Sequence, residues 1–364
     1  MEPKKFLNKI ESASFSPYMG VPCSVFTSLL NYLKNSGKES YICSSEGEAM
    51  GLAGGFALSG RLPVVYMQND GYGNAVNPLS SLQLLYKLPA LLLISWRGFP
   101  GKKDAPQHML MGETIEDLLR SFKIPYKILD EEGSLDLAVK EAKDHCINEE
   151  TPYAFVIKKG YFSKEDGYRE QDRNDLNIRM DYIDELRGYL KNSDVILGTT
   201  GFTGRELCYR LDHKGKFYMT GSMGCLSSLG LGIAIENSNK RVFLLDGDGS
   251  VLMKMGSLAT IGHYAPDNLV HICFDNNVYE STGNQPTVSS GIDLSKIAEA
   301  SGYKYTVNIS SVEGFKDVME SANDIPKPAF VLINIKSGTI DNLPRPADSP
   351  EEMKDKFMSF ILKK

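Results

Sequence analysis

Short apolar runs recur along the chain, and most of them end in Gly, Asn, Asp or Ser. Such runs begin at Leu62, Leu88, Tyr153, Asp194, Arg241, Leu269 and Phe330. Segments of helical length separate most of these runs. Strands that are buried on both faces read as continuous Val, Ile and Leu runs, and their alternation with helices indicates a largely parallel sheet. The pattern predicts an α/β protein built on doubly wound parallel sheets.

Charge interrupts this alternation once, between Ser163 and Asp184, where 11 of 22 residues are charged. This density favours a solvated connector over a packed element. A chain of 364 residues is also long for a single core and suits two domains. We therefore expect α/β domains at residues 1–165 and 185–364, joined by a charged linker at residues 166–184.

The tail predicts a closing helix. Ser349 is a favourable N-cap, and Pro350 fits the first helical position. Phe357, Phe360 and Ile361 then fall on one face of the helix.

The composition and charge of the chain argue against several classes of function. The net charge is −6 and no cluster of Lys and Arg occurs, which argues against nucleic acid as a partner. The longest apolar run, Leu88 to Ile94, is too short to span a membrane, and no signal peptide is visible, so we expect a cytoplasmic protein. Six cysteines stand singly, which indicates neither a zinc site nor a disulfide framework.

The strongest chemical signal is a glycine-rich turn, Gly247-Asp248-Gly249-Ser250, which directly follows the run that begins at Arg241. Such a turn at the carboxyl end of a strand lets backbone N–H groups approach a phosphate, while the carboxylate faces a cation. On its own the turn is weak evidence, because Gly and Asp are common turn residues.

A second strand ends in polar residues 28 positions after Asp248, at Asn276. Mg²⁺ prefers oxygen ligands, and Asp248, the amide oxygen of Asn276 and the carbonyl of Val278 supply them. Asn277 is the alternative amide ligand. We favour Asn276 because the residue two positions after it is Val278.

This pair of motifs resembles the thiamine diphosphate enzymes, in which a Gly-Asp-Gly turn is followed at this kind of distance by Asn. The resemblance implies that Mg²⁺ at Asp248, Asn276 and Val278 anchors the diphosphate of thiamine diphosphate. It also implies that Gly247, Gly249 and Ser250 line the cofactor.

The resemblance extends to Glu46, which precedes a helix rich in small residues. In this family a Glu at such a position hydrogen-bonds the aminopyrimidine ring of the cofactor, which makes Glu46 the expected catalytic acid. Glu48 is the alternative. Either side chain would also stabilise a helix N-terminus without any catalytic role.

Two further segments match the family. The resemblance implies that Met223 supports a bent cofactor and that the carbonyl of Gly221 accepts from its amino group, although Met in such a loop is often core filling. Thr199 and Gly201 follow another strand and are expected to add donors to the diphosphate. A plain helix N-cap is the alternative for them.

The two-domain length leaves no room for a third domain, and the chain resembles the phosphonopyruvate decarboxylase family, with sulfopyruvate decarboxylases as relatives. The resemblance implies a carbon–carbon lyase that converts 3-phosphonopyruvate to phosphonoacetaldehyde and CO₂. The single-chain architecture and the segment Ser281–Gln285 favour the phosphonate. Sulfopyruvate decarboxylation is the nearest alternative, followed by an acetolactate-type carboligase. A dinucleotide-dependent oxidoreductase is disfavoured because no G-x-G-x-x-G follows a strand.

A dianionic substrate needs cations and donors. Arg97 and His108 lie in a loop that follows a strand, and Asn69 and Asp70 are expected to line the same cleft. We expect solvent exposure for at least one of the neighbouring lysines at positions 102 and 103.

In the family, Glu46 of one chain meets the metal site of another chain. The resemblance therefore implies a homo-oligomer that is at least a dimer.

Overall fold

The computed structural model describes residues 1–130, 135–165 and 173–362. The chain forms two compact units. The first comprises Met1–Glu170 and Thr282–Pro286, and the second comprises Gln171–Ser281 and Thr287–Lys364. The short insertion of Thr282–Pro286 into the first unit is a feature that the sequence pattern does not indicate.

The first unit is built on a six-stranded parallel sheet with the spatial order β2-β1-β3-β4-β6-β5. From β1 the chain moves outward in one direction, and from β3 it moves outward in the other, so a topological switch point lies between these two strands. The strands are β1 (Phe15–Gly20), β2 (Ser40–Ile42), β3 (Leu62–Gln68), β4 (Leu91–Trp96), β5 (Tyr126–Leu129) and β6 (Tyr153–Lys158).

Helices cover both faces of this sheet. Val64 and Val65 are both fully buried and belong to hydrophobic clusters on opposite faces, as expected for a strand covered on both sides. The helices are α1 (Pro3–Ser12), α2 (Thr27–Asn35), α3 (Glu46–Leu58), α4 (Tyr72–Pro78), α5 (Pro106–Ser121) and α6 (Leu135–Asn148).

The second unit repeats the architecture, with the spatial order β13-β14-β10-β9-β7-β8. Its switch point lies between β7 and β9, where ligands bind in open α/β sheets. The remaining strands of the chain are β7 (Val195–Gly198), β8 (Lys216–Tyr218), β9 (Val242–Gly247), β10 (Leu269–Asp275), β11 (Val278–Tyr279), β12 (Gln285–Pro286), β13 (Tyr305–Ile309) and β14 (Ala329–Asn334).

Eight α-helices occur in the described part of the second unit. They are α7 (Arg179–Leu186), α8 (Phe202–Arg210), α9 (Leu226–Glu236), α10 (Asp248–Met253), α11 (Gly256–Tyr264), α12 (Leu294–Ala300), α13 (Val312–Glu320) and α14 (Pro350–Ile361). Among the described residues, no helix combines the length and the apolar character needed to cross a membrane.

The predicted fold class is confirmed, because each of the seven predicted strands lies in one of two doubly wound parallel sheets. The closing helix also begins as predicted, since the Ser349 hydroxyl accepts from the backbone N–H of Glu352 at 3.2 Å.

The predicted linker differs from the structure at its carboxyl end. Residues 166–172 lie outside the described residues, but the linker's last residues belong to α7. Tyr182 and Ile183 are fully buried in the core of the second unit, and Arg179 is only 5% exposed. The apolar side chains between the charges therefore anchor a helix where the density of charge had favoured a solvated connector.

Candidate active site

Asp248 begins α10 at the carboxyl end of β9. Its carboxylate is buried, and Oδ2 accepts hydrogen bonds from the hydroxyls of Thr287 at 2.6 Å and Ser289 at 3.0 Å. Asp275, the last residue of the neighbouring strand β10, accepts from the same Ser289 hydroxyl at 2.8 Å. Two carboxylates on adjacent strands therefore share one hydroxyl.

The electrostatics of this pair are unfavourable without a cation. Burial, and then the charge of Asp275, raise the pKa of Asp248 to about 8. The hydroxyl donors are neutral, so they satisfy lone pairs without offsetting charge. In the described residues no cluster of three or more His, Cys, Asp or Glu side chains could hold a metal, so a cation here would also need amide or carbonyl oxygens.

The structure gives the two neighbouring amides different surroundings. Asn277 has a left-handed φ of 59°, and its amide is held by Arg173, which donates to Oδ1 at 2.6 Å, and by Asp275, which accepts from Nδ2 at 2.8 Å. Asn276 Oδ1 accepts from the backbone N–H of Val278 at 3.1 Å. The oxygen of Asn277 thus binds a guanidinium, whereas the oxygen of Asn276 accepts from a neutral backbone N–H.

Thr199, Ser250 and the loop before α9 meet at the switch point of the second sheet. The hydroxyls of Thr199 and Ser250 lie 3.1 Å apart, and the N–H of Gly224 donates to Ser250 Oγ at 3.2 Å. The predicted cofactor residues Thr199 and Ser250 are thus brought together. They are 4% and 3% exposed, and each hydroxyl already has a partner.

Met223 lies beside the glycine-rich turn. A Cβ on Gly249 would lie 3.2 Å from Met223 Cε and 2.8 Å from Tyr279 Cε1, so these side chains leave room only for glycine. Gly221 directly follows Thr220, whose carbonyl accepts from the Thr200 hydroxyl at 2.9 Å.

The other two predicted glycines differ in their surroundings. Gly201 adopts φ 84° as it leads into α8. A Cβ on Gly247 would lie 3.9 Å from the carbonyl oxygen of Phe274, which is an ordinary van der Waals distance. Among the described residues, steric contact therefore does not require glycine at position 247.

Glu46 is the first residue of α3 in the first unit and is only 4% exposed. Asn74 donates from Nδ2 to Glu46 Oε2 at 2.8 Å. A Cβ on Gly71 would lie 2.1 Å from Glu46 Oε1, so the carboxyl group occupies space that only glycine leaves open. Asn74 therefore holds the carboxyl group of Glu46.

Glu48 is exposed in the first turn of α3. Its Oε2 accepts from the backbone N–H of Ser44 at 2.8 Å, and its own N–H donates to the hydroxyl of Ser45, the N-cap of the helix. The two candidates therefore differ in their surroundings, because Glu46 is buried against α4 and its preceding loop while Glu48 lies at the surface.

Asn69 lies directly after β3. It is fully buried, it donates from Nδ2 to the carbonyl of Arg97 at 2.8 Å, and it accepts from the N–H of Arg97 at 3.0 Å. Its amide joins the ends of β3 and β4, so Asn69 positions the backbone of the loop. Its place in the substrate cleft stays a prediction.

Arg97 is paired with an acid that sequence analysis did not include. Asp104 accepts from Nε and Nη2 of Arg97 at 2.6 Å each, and Ser24 accepts from Nη1 at 3.2 Å. The guanidinium holds the pKa of Asp104 well below its ordinary value. The bidentate pair fixes the direction of the guanidinium and offsets its charge.

Asp70 and His108 form the second pair of this loop region. Asp70 Oδ2 and His108 Nδ1 lie 2.8 Å apart. Because a carboxylate only accepts, Nδ1 carries the proton, and Nε2 lies 3.5 Å from the side-chain amide nitrogen of Gln107. Lys102 and Lys103 are both exposed, in agreement with the expected solvation.

Sequence reasoning missed several residues that organise the site. Asp104, Thr287 and Ser289 are common loop residues, so their contacts leave no signal in the pattern. Arg173 and Arg179 lie in the charged segment that predicted a linker. The Asp275 carboxylate was visible at the end of its apolar run, and its place beside Asp248 follows from the adjacency of β9 and β10.

Comparison with known proteins agrees with this geometry. Residues 198–334 match the family model "Thiamine pyrophosphate enzyme, C-terminal TPP binding domain". The phosphonopyruvate decarboxylase of Streptomyces viridochromogenes is 36% identical over 360 residues, which cover 94% of this chain and 90% of the relative. The phosphonopyruvate decarboxylase of Streptomyces hygroscopicus is 35% identical over 94% of this chain and 89% of the relative.

The sulfopyruvate decarboxylase of Methanosarcina acetivorans is 31% identical over 93% of this chain and 92% of its own length. Both phosphonopyruvate and sulfopyruvate decarboxylases therefore include single chains of about this length. The single-chain architecture does not discriminate between the two substrates. The chain belongs to the thiamine pyrophosphate-dependent 2-oxo acid decarboxylases, in the group that contains the phosphonopyruvate and sulfopyruvate decarboxylases.

Proposed function

We propose that this protein catalyses the thiamine diphosphate- and Mg²⁺-dependent decarboxylation of 3-phosphonopyruvate to phosphonoacetaldehyde and CO₂. The observation that carries the proposal is the pair Asp248 and Asn276 at the switch point of the second sheet, in a chain that is similar to a phosphonopyruvate decarboxylase over 94% of its length. When bound, thiamine diphosphate supplies the electron sink that the loss of CO₂ from a 2-oxo acid requires.

Asp248, the amide oxygen of Asn276 and the carbonyl of Val278 would hold Mg²⁺, and the metal would anchor the diphosphate. The residues fit this ion because the carboxyl groups of Asp248 and Asp275 are buried side by side and share the neutral hydroxyl of Ser289. The carboxylate, amide and carbonyl oxygens are the hard donors that Mg²⁺ prefers. Met223 and the backbone of Gly221 would contact the cofactor beside Gly249.

Glu46 would hold a proton at its carboxyl group against the pyrimidine ring nitrogen of the cofactor. Its burial strengthens this hydrogen bond, since the local dielectric is low. Asn74 donates to Oε2 and so fixes the carboxyl group in one orientation.

Arg97 and His108 would bind the anionic groups of the substrate. Arg97 keeps N–H groups that neither Asp104 nor Ser24 uses, and the Asp104 pair holds them in a fixed direction. His108 would donate from Nε2 when its ring is doubly protonated, with Asp70 fixing the ring at Nδ1. Phosphonate can carry one more negative charge than sulfonate and is the more basic acceptor, so charge-assisted donors bind it more strongly.

The first unit leaves one face of α3 open. Among the described residues, no atom lies within 4 Å of a Cβ position on Gly51 or Gly55, and Leu58 is 73% exposed. We infer that this small-residue face packs against a second copy of the chain, so that the active protein is at least a dimer and each site takes Glu46 and Asp248 from different chains.

The substrate is tested by measuring CO₂ release from 3-phosphonopyruvate and from sulfopyruvate, each with and without thiamine diphosphate and Mg²⁺. We expect cofactor-dependent release, with kcat/KM at least about 10-fold higher for the phosphonate, which corresponds to one charge-assisted hydrogen bond. Equal rates would remove the specificity, and a reversed preference would identify a sulfopyruvate decarboxylase. No release from either acid would refute the proposed function.

The Glu46→Gln variant should lose at least about 100-fold in kcat, the range for removal of a positioned acid–base group. Thiamine diphosphate should still bind, as measured by calorimetry in the presence of Mg²⁺. Glu48→Gln is the matched control and should keep its activity, because Glu48 is exposed and its carboxylate binds the backbone of Ser44, which precedes the helix. Full activity in Glu46→Gln would show that this residue is not the catalytic acid.

The Arg97→Met variant should raise KM for phosphonopyruvate about 10- to 100-fold, since a charge-assisted hydrogen bond is lost, with a smaller change in kcat. Steady-state kinetics measure both constants. Lys103→Met, which removes an exposed cation from the same loop, should leave KM within about twofold. An equal rise in KM for the two variants would point to general electrostatic attraction.

Subunit mixing tests the shared site. Glu46→Gln and Asp248→Asn chains, each inactive alone, should regain about a quarter of wild-type activity when unfolded and refolded together as random dimers. The reason is that one site in each mixed dimer receives both native residues. Absence of any recovery, with refolding of the wild type as control, would contradict a site that takes its residues from two chains.

A further inference from the structure

Arg179 forms a buried ionic cluster that the proposed mechanism does not use. Its Nε donates to Glu206 Oε2 at 2.8 Å, and its Nη2 donates to Glu280 Oε2 at 2.9 Å. The three side chains are 6%, 0% and 11% exposed. A buried arginine between two acids adds little to the free energy of unfolding, because the three charges lose their hydration. The contacts of the cluster with neighbouring residues therefore indicate another role.

Glu280 is held on two sides. Besides Arg179 at Oε2, the backbone N–H of Gly338 donates to Oε1 at 2.7 Å. The carboxylate therefore has a fixed orientation. One acceptor site of Oε2 then faces Asn276, whose Nδ2 donates to it at 3.2 Å.

These contacts decide which end of the Asn276 amide is the oxygen. Glu280 only accepts, so it must face the NH₂ group, and the backbone N–H of Val278 only donates, so it must face Oδ1 at 3.1 Å. An amide rotated by half a turn would place oxygen against a carboxylate and NH₂ against N–H. Both of those contacts are repulsive.

We propose that Glu280, held by Arg179, is a positioning residue that keeps the amide of Asn276 in the orientation that presents its oxygen to Mg²⁺. This inference rests on the proposed role of Asn276 as a metal ligand. Glu280 does not touch the metal. It acts through the amide, as the hydrogen-bonding partners of metal ligands generally do.

A second acid in the cluster, Glu206, provides the control for a substitution of Glu280. Glu206 binds the same guanidinium and carries the same charge, but it is not among the hydrogen-bond partners of Asn276 in the described residues. Replacing either Glu by Gln removes one buried negative charge beside Arg179. Only the change at Glu280 alters the partner of the Asn276 amide.

The test is a titration of the full-length protein with Mn²⁺ in the presence of thiamine diphosphate. The electron paramagnetic resonance signal of the free ion measures how much Mn²⁺ remains unbound. Glu280→Gln should weaken Mn²⁺ binding about 10-fold, the range for loss of a residue that orients a metal ligand. Glu206→Gln should stay within about threefold of the wild type. Equal weakening in the two variants would overturn the proposal, because it would reduce the effect to charge.

A second variant separates orientation from folding. Glu280→Asp keeps the charge but withdraws the carboxylate from Asn276, so it should also weaken Mn²⁺ binding about 10-fold. Melting of the metal-free proteins reports whether each variant folds. If Glu280→Gln does not fold, the aspartate variant decides the matter, and unchanged Mn²⁺ affinity in it would overturn the proposal.

A substitution at Asn276 tests the positioning role in a second way, by the same measurement of Mn²⁺ affinity. In an Asn276→Asp background both ends of the ligand are oxygen, so orientation no longer matters and Glu280→Gln should cost less than about twofold in Mn²⁺ affinity. A loss that stays near 10-fold there would contradict the positioning role. If the wild type binds no Mn²⁺ in the presence of thiamine diphosphate, the proposed function fails. If the wild type binds Mn²⁺ and the Glu280→Gln variant binds it equally well, only the positioning role of Glu280 fails.

Discussion

The site in the second unit depends on the burial of two carboxylates at the ends of neighbouring strands. Asp248 and Asp275 are each 3% exposed and share the hydroxyl of Ser289. Burying like charges side by side costs free energy, and neutral hydroxyl donors offset only part of that cost. The surrounding fold tolerates this arrangement because the two strands are fixed by an apolar core. The proposed cation would supply the missing compensation.

Around that pair, the structure uses arginines at a distance from the metal site. Arg173 binds Asn277, and Arg179 binds Glu280, so each guanidinium fixes the side chain next to a proposed ligand. The first unit follows a different principle. There an amide, Asn74, donates to the buried carboxyl group of Glu46.

The strands that sequence analysis found are the ones buried on both faces, such as β4 and β10, in which every residue is buried. It did not find β2, β8 and β13, which lie at or near the sheet edges and are partly exposed, so they carry no continuous apolar run. The central strand β1 was also missed. Its sequence, Phe15–Gly20, contains Ser, Pro and Gly, and it is held by neighbours on both sides, so tertiary pairing outweighs local propensity.

The sequence by itself determined the fold class, the glycine-rich turn and the candidates Glu46, Asp248 and Asn276, because those features depend on short spacings and on the hydrophobic period. Only the tertiary structure showed that Glu46 is buried while Glu48 is exposed, joined Asn69 to the backbone of Arg97, and paired Arg97 with Asp104. It also turned part of a charged linker into α7 and brought Arg179 to Glu280, about 100 positions apart. Such choices depend on burial and on contacts between distant segments, and these arise only when the parallel sheet brings its carboxyl ends together.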